Sequence, residues 1–474
     1  MEPRAVVVLD VGKTQSKLGL WSAAGELLER RTRLNARVTT AEYLALDSSG
    51  IESWLAETLS DFAQKANVGS IIAVSHGAAA AVIRSGRLAC PPLDYENPIP
   101  GALRREYDRQ RDRFTVTGSP ALGAGLNLGV QLHYLEELYP SLLAPGSILM
   151  PWAQYWGWLL SGVAASEVTS LGCHTDLWQP LMGKPSALAV RRGWARAMAP
   201  LRAAGTALGP LISEWAVRTG LKRDVQVHCG LHDSNAALLA ARGFTDINAR
   251  DCTVLSTGTW FVAMRTPMQD VSLDMAAIPE DRDCLMNVDA FGKPVPSARF
   301  MGGREIELLT GADTLRIDLT SDQPAVLAAI PEVLASGALI LPTFAAGSGP
   351  FAHSHGRWIS RPAKGNQRRA AICLYAALVT DTSMDLIGAR DCLLIEGRFA
   401  ESEALVRTVA TLRPDIRVYV GHAHADVSYG ALRLLNPTLV PPSSLTRVRP
   451  LPVDLQAYRE RWRREVDGLR GASG

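Results

Sequence analysis

The chain has 474 residues, 47% of them hydrophobic and 20% charged, with 49 Lys and Arg set against 47 Asp and Glu. That balance excludes a disordered or fibrous protein and leaves no strong field for a polyanion, so nucleic acid is not an expected partner. At roughly 150 residues per domain, the length suits about three units or two large lobes.

Residues 6–9 form a β-branched apolar run that Asp10 interrupts long before the length of a signal-peptide core. No stretch reaches about 18 uninterrupted apolar residues, which predicts a soluble, cytoplasmic protein with no membrane partner. The run leads into Asp10-Val11-Gly12-Lys13-Thr14 and a returning stretch at 16–21. The pattern predicts a strand, a glycine turn and a returning strand.

Helical periodicity follows at 51–66, then a strand at 70–74 ending in Ser75-His76-Gly77. Pro91-Pro92 and residues 97–101 mark loops around Asp94-Tyr95-Glu96. The aromatic group Trp152, Tyr155, Trp156 and Trp158 reads first as core and second as a platform for a sugar ring. A strand at 224–227 precedes Gly230-Leu231-His232-Asp233-Ser234-Asn235, and a helix over 236–241 follows.

Residues 253–255 and 260–264 repeat the first device around Ser256-Thr257-Gly258-Thr259. Two lobes, each opening with a hairpin, are therefore expected. Residues 342–350 read as a surface loop, 368–384 and 402–412 as helices, and the charged tail at 458–470 as a solvated helix. Strands alternating with helices predict an α/β class.

The seven cysteines are scattered, with no C-x-x-C, and predict reduced, buried thiols. His353-x-His355 and His422-x-His424 lack a third ligand at recognisable spacing and read as structural or exposed residues. Gly12-Lys13-Thr14 has Val7 where a Walker loop needs its first glycine, and the zincin, hydrolase-elbow and Rossmann markers are missing. Nothing in the spacing gives a role to Gly302-Gly303.

What remains is Asp10-x-Gly12-x-Thr14-x-Ser16. A glycine turn lets backbone N–H groups approach a phosphate, hydroxyls add donors, and a carboxylate just before the turn can hold Mg²⁺ directly or through water. Lys13 would add charge beside that phosphate. Asp233, at or near a helix N-terminus, is favoured as an ionised acceptor for a substrate hydroxyl, with a plain N-cap as its simpler role.

One phosphate-type turn in each half, with a strand-end aspartate between them, resembles the FGGY carbohydrate kinase family of the actin-like ATPase superfold, from Val6 to about Leu435. The resemblance implies an α/β fold of two actin-like (ribonuclease H-like) lobes with a catalytic cleft between them. Residues 1–245 would form the sugar-binding lobe and 246–474 the nucleotide-binding lobe. It implies ATP and Mg²⁺ as cofactors, with Asp10 and Asp233 as catalytic residues.

Asp10 would hold the metal and Asp233 would act as general base. Gly12, Lys13, Thr14, Gly258, Thr259, Gly397 and Arg398 would bind nucleotide; the D-x-G segment also maps onto Lys17, and Ile395-Glu396-Gly397-Arg398 onto the adenosine segment. His76, Gly77, Tyr95, His232 and Asp233 would bind the sugar. Residues 426–435 resemble the family's terminal nucleotide-lobe helix.

His232-Asp233 resembles the pair of rhamnulokinases and implies a deoxy-ketohexose such as L-rhamnulose or L-fuculose, or a ketopentose. Two departures stand out: Lys13 replaces a small or hydroxyl residue, and Glu396-Gly397-Arg398 replaces a more glycine-rich turn. The alternative is a non-catalytic actin-like module that binds sugar or nucleotide. The expected partner is a small sugar, and a homodimer is compatible with the sequence.

Overall fold

Strand Ala5–Val11 pairs antiparallel with Gln15–Trp21, and Gln15–Trp21 with Leu27–Leu34, so the chain opens as a meander. On its other side Ala5–Val11 pairs parallel with Val68–Ser75, which pairs parallel with Gln226–His232; Ala207–Pro210 closes that edge antiparallel. A computed structural model describes residues 4–268, 271–311, 316–421 and 427–471.

By its internal contacts the chain divides into two units. The first comprises 1–243, 286–294 and 426–441; the second comprises 244–285, 295–425 and 442–474. In the second unit, Cys252–Thr257 pairs antiparallel with Phe261–Thr266, which pairs antiparallel with Pro294–Phe300. Cys252–Thr257 also pairs parallel with Cys392–Gly397, the latter parallel with Arg417–Gly421, and Leu445–Arg447 ends the series antiparallel. Six strands of each unit's sheet thus follow the same order and sense, a duplicated α/β plan.

Helix Ser48–Lys65 shows why these sequences cover such sheets. Asp47 caps it, accepting from the Gly50 N–H at 3.0 Å. Its buried residues Ile51, Leu55, Leu59 and Phe62 fall at helical spacing and share one core with Val7, Leu9, Leu18 and Leu20 of the sheet. Each such fully buried side chain contributes about 1.5–3 kcal/mol. The aromatic group lies on helix Trp152–Ser161, where Trp152, Tyr155 and Trp156 join this core.

Three elements differ from their sequence expectation. The strand expected at 224–227 runs over Gln226–His232, because it is buried through its last four residues, which carry it to the helix Asp233–Ala241. The loop at 342–350 is mostly buried rather than superficial. Buried Glu305 explains it, accepting from Thr343 Oγ1 and from the N–H groups of Phe344 and Ala345 at 3.1 and 3.2 Å.

The terminal helix Gln456–Gly471 is anchored rather than merely solvated. Trp462 is buried and donates through Nε1 to the Ile340 carbonyl at 2.8 Å, and Arg459 and Arg463 pair with buried Asp381 at 2.8 and 3.0 Å. All seven cysteines are buried and free. Among the described residues no helix is long and apolar enough to cross a membrane.

Helix Asp233–Ala241 packs against Val427–Leu435 at a contact that only glycine allows: a Cβ on Gly430 would lie 1.8 Å from the Ala236 carbonyl oxygen. Gly430→Ala should cost about 1–3 kcal/mol, the range for overpacking. Calorimetry should show a lower melting temperature, and an unchanged one would contradict this packing.

Candidate functional site

Parallel pairing sets the site in the first unit. Val11 and His232 both register with Ser75, so the strand ends carrying Asp10, His76 and His232 lie level at one sheet edge. Gly230 makes the last alignment achievable, because it sits at φ +82° where the register shifts between His228 and Leu231. Its missing Cβ would lie 2.2 Å from the Ala73 carbonyl oxygen.

At the first strand end the turn closes with Gly12 N–H donating to the Gln15 carbonyl at 3.1 Å. Asn35, unmarked in the sequence, braces it from the neighbouring strand. Its Nδ2 donates to the Gly12 carbonyl at 2.8 Å, its Oδ1 accepts from Ser16 Oγ at 2.9 Å, and its N–H donates to Thr14 at 2.9 Å. Buried Asp10 has the Lys17 ammonium 3.4 Å from Oδ2.

Lys13 turns toward a different segment. Its Nζ donates to Asp94 Oδ2, lies 3.7 Å from Glu96 Oε2, and stands 5.0 Å from the Tyr95 ring centroid. Tyr95 meets the His76 ring edge-on at 5.6 Å. Burial pushes the Tyr95 phenol up to about 12, with the charges of Glu96, Asp94 and Asp233 adding to it.

A cavity of about 220 Å³ opens here, lined among others by Gly12, Lys13, Thr14, His76, Asp94 and Trp152. It is smaller than the roughly 300–1,000 Å³ of drug-sized ligand pockets and suits a small molecule. Among the described residues both ring nitrogens of His76 lack a hydrogen-bond partner, although the residue is only 9% exposed. Burial, and then the charge of Lys13, holds its imidazole down at about 3, so it is neutral.

Asp233 begins its helix as the sequence reading expects, but burial outweighs the helix terminus. Its carboxyl is pushed up to about 6, against the lowering effects of Ser234's hydrogen bonds and Lys17's charge. Oδ1 accepts from the Ser234 N–H at 2.6 Å and Oγ at 3.3 Å, and lies 3.2 Å from His232 Nε2. Among the described residues Oδ2 has no hydrogen-bond partner. Burial holds His232 down at about 4.

Asn235 Nδ2 lies 3.3 Å from His232 Nδ1, which makes Nδ1 the acceptor and assigns the proton to Nε2, the nitrogen nearer Asp233. Behind the pair, the His232 N–H donates to Thr169 Oγ1 at 3.0 Å, and that hydroxyl donates to Glu167 at 2.6 Å. Burial pushes Glu167 up to about 7 against hydrogen bonds from Thr169 and Ser170. Gly77 lies beside the His232 ring, where a Cβ would come within 2.8 Å of Nε2. Asn35, Thr169, Glu167 and Asn235 carry no sequence signal, because their partners are distant in the chain or generic in type.

In the second unit, the Gly258 N–H donates to the Trp260 carbonyl at 3.0 Å, closing the corresponding turn. Gly303 abuts it; a Cβ there would lie 2.1 Å from the Gly258 carbonyl oxygen, and the Gly303 N–H donates to Thr259 at 3.2 Å. This is the position that the spacing could not assign. Gly397, at φ +90°, stacks on the Thr257 backbone, and Thr257 Oγ1 donates to the Glu396 carbonyl at 2.6 Å.

Arg398 is engaged with Asp318, Nε to Oδ2 at 2.7 Å. Against the upward push of burial, hydrogen bonds from Arg316 and Arg398 hold Asp318 down at about 2. No group of three or more His, Cys, Asp or Glu is gathered for a metal among the described residues. His422, His424 and Asp426 lie outside the described residues. A single buried carboxylate such as Asp10 suits Mg²⁺, which takes one or two protein carboxylates together with substrate phosphates and water.

Residues 249–442 match the family model described as carbohydrate kinase FGGY, C-terminal domain. Among solved structures, a carbohydrate kinase from Novosphingobium aromaticivorans is 52% identical over 99% of this chain and 100% of that one, with a TM-score of 0.95. Xylulose kinase from Rhodospirillum rubrum (17% identity, 99% and 98% coverage, TM-score 0.77) and gluconate kinase from Lactobacillus acidophilus (13%, 99% and 98%, 0.78) share the fold. No curated protein matches the chain. The duplicated sheet, the glycine turns and a relative identical at half its positions lead to one assignment: the chain belongs to the FGGY carbohydrate kinase family.

Proposed function

We propose that this carbohydrate kinase transfers the γ-phosphoryl group of ATP to a hydroxyl of a ketose, a deoxy-ketohexose such as L-rhamnulose or L-fuculose, or a ketopentose. The carrying observation is Asp233, whose Oδ1 accepts from the Ser234 N–H and Oγ and has His232 Nε2 3.2 Å away, while Oδ2 has no partner among the described residues. A carboxylate held this way offers one atom, in one orientation, to an acceptor hydroxyl.

In the reaction the hydroxyl donates its hydrogen bond to Asp233 Oδ2, and its oxygen attacks the γ-phosphorus. The bond from that phosphorus to the bridging oxygen of ADP breaks, and the proton passes late to Asp233. His232 keeps the carboxylate oriented and, being neutral, adds no cation that would weaken it as a base. His76, Gly77 and Tyr95 would line the sugar site beside it. The turns closed at Gly12 and Gly258 would present Thr14 and Thr259, by N–H and hydroxyl, to phosphate oxygens, and Gly397, with Arg398 steadied on Asp318, would border the nucleoside. Mg²⁺, held through Asp10, would supply charge neutralisation for the β- and γ-phosphates. In this reading the first unit takes the sugar and, through Asp10, the metal, and the second takes the nucleoside.

A coupled assay of ADP release under Mg-ATP tests this, with L-rhamnulose, L-fuculose, D-xylulose, L-xylulose, D-ribulose and L-ribulose beside glycerol and erythritol. A ketose should give the highest kcat/KM, with little ADP formed when sugar is omitted. Preference for glycerol or erythritol would refute the ketose reading. Asp233→Ala should lower kcat by about 10²–10⁴-fold, the contribution of a general base, and leave the KM for Mg-ATP nearly unchanged; near wild-type turnover would remove Asp233 from the role.

The raised carboxyl fixes a pH dependence. Asp233 is protonated, and useless as a base, below its folded-state value of about 6, and ionised above it. Log kcat/KM for the ketose should therefore rise with slope near one up to about pH 6 and flatten beyond. His232, neutral above about 4, adds no inflection in that window. A flat profile down to pH 5 would contradict this assignment.

A further inference from the structure

We propose that Lys13 serves the acceptor rather than the nucleotide: its ammonium group, tethered by Asp94, donates to a non-reacting oxygen of the bound sugar and makes Lys13 a specificity-determining residue. This inference rests on the ketose-kinase reading and deepens it. It begins from where the chain sends the side chain. Lys13 follows the turn glycine, yet its Nζ reaches the 94–96 segment, where Asp94 Oδ2 accepts from it and Glu96 and Tyr95 flank it.

Both carboxylate oxygens of Asp94 are engaged. Oδ2 takes Lys13, and Oδ1 accepts from the Glu96 N–H at 2.8 Å. The Asp94 N–H and carbonyl are also used, bonded to Leu44 and Asn97 at 2.9 Å each. Asp94 is only 3% exposed and holds the ammonium through Oδ2, so it is a positioning residue that aims Lys13. An ammonium carries three donors. Asp94 takes one, and Glu96, at 3.7 Å, is beyond hydrogen-bond reach.

The second observation is His76, on the wall of the same cavity as Lys13. Among the described residues its two buried ring nitrogens have no partner, an arrangement that burial makes costly unless a ligand fills it. A neutral imidazole donates from one nitrogen and accepts at the other, whereas Lys13 only donates. Together they complement a carbonyl oxygen beside a hydroxyl, the hydroxyketone end of an open-chain ketose. Around Lys13, the charges of Lys13 and Arg37 are matched by those of Asp94 and Glu96, with Arg37 bonded to Glu96 at 2.9 Å. Such a neutral group selects an uncharged sugar over a sugar acid.

The test compares wild type with Lys13→Met, Lys13→Arg and Asp94→Asn. Each is assayed for ADP release with the best ketose of the panel, and for the melting-temperature shift given by that ketose or by Mg-ADP alone. Lys13→Met should raise the ketose KM at least tenfold, leave kcat within threefold and the Mg-ATP KM within twofold, and abolish the ketose shift while keeping the Mg-ADP shift. Asp94→Asn should move the same quantities in the same direction by less, and Lys13→Arg should partly restore them.

A rise in the Mg-ATP KM with an unchanged ketose KM would place Lys13 on the phosphates and overturn the proposal. So would a ketose shift of wild-type size in Lys13→Met. Should wild type bind a ketose by thermal shift yet release no ADP with it, the ketose-kinase reading would fail by itself, and the binding shifts would still decide the role of Lys13.

Discussion

Parallel strand pairing is the constraint on which the site depends. Ala5–Val11, Val68–Ser75 and Gln226–His232 run side by side, and register alone brings the residues after each strand to one edge. There the strand carbonyl ends leave loops free to carry polar groups, as in open α/β sheets generally. A one-residue slip would turn Asp10, His76 and His232 to other faces. The Gly230 bulge shows how narrow the tolerance is, since the backbone approaches Ala73 closer than any side chain permits.

Electrostatics at that edge are governed by desolvation more than by helix termini. Asp233 sits where a helix N-terminus favours the anion, yet its carboxyl rises, because burial removes the water that would stabilise charge and outweighs Ser234's hydrogen bonds and Lys17's charge. His76 and His232 fall for the same reason, losing a proton that burial makes costly. The outcome is a carboxyl that changes charge near pH 6 beside two neutral imidazoles. Glu167, pushed up further behind His232, extends the pattern: hydrogen bonds from Thr169 and Ser170 lower it without restoring the ordinary value.

The sequence made legible whatever local chemistry decides. Alternating apolar strands around Gly12 and Gly258, and the small-residue helix after Asp233, emerge in the structure as read, because turn chemistry and periodicity are short-range. Asp233 stood out because a strand end and a helix start flank it. Asn35 did not, since its value lies in reaching back 23 residues to the Gly12 carbonyl. The 342–350 loop read as superficial because Gly and Pro dominate it, and only the distant carboxylate of Glu305 explains its burial. The terminal helix looked solvated from its charges, but three guanidinium groups, from Arg413, Arg459 and Arg463, converge on one buried Asp381.

The two units share strand order, so their turns can be compared position by position. In the hairpins Val11 pairs with Ser16 and Thr257 with Phe261, which aligns Gly12 with Gly258. Asp10 then corresponds to Ser256, and Lys13 to Thr259. Both charges of the first turn are therefore missing from the second, which retains only backbone donors and hydroxyls. A duplicated backbone has thus diverged by charge, and the turn that kept its carboxylate is the one whose sheet edge also carries Asp233.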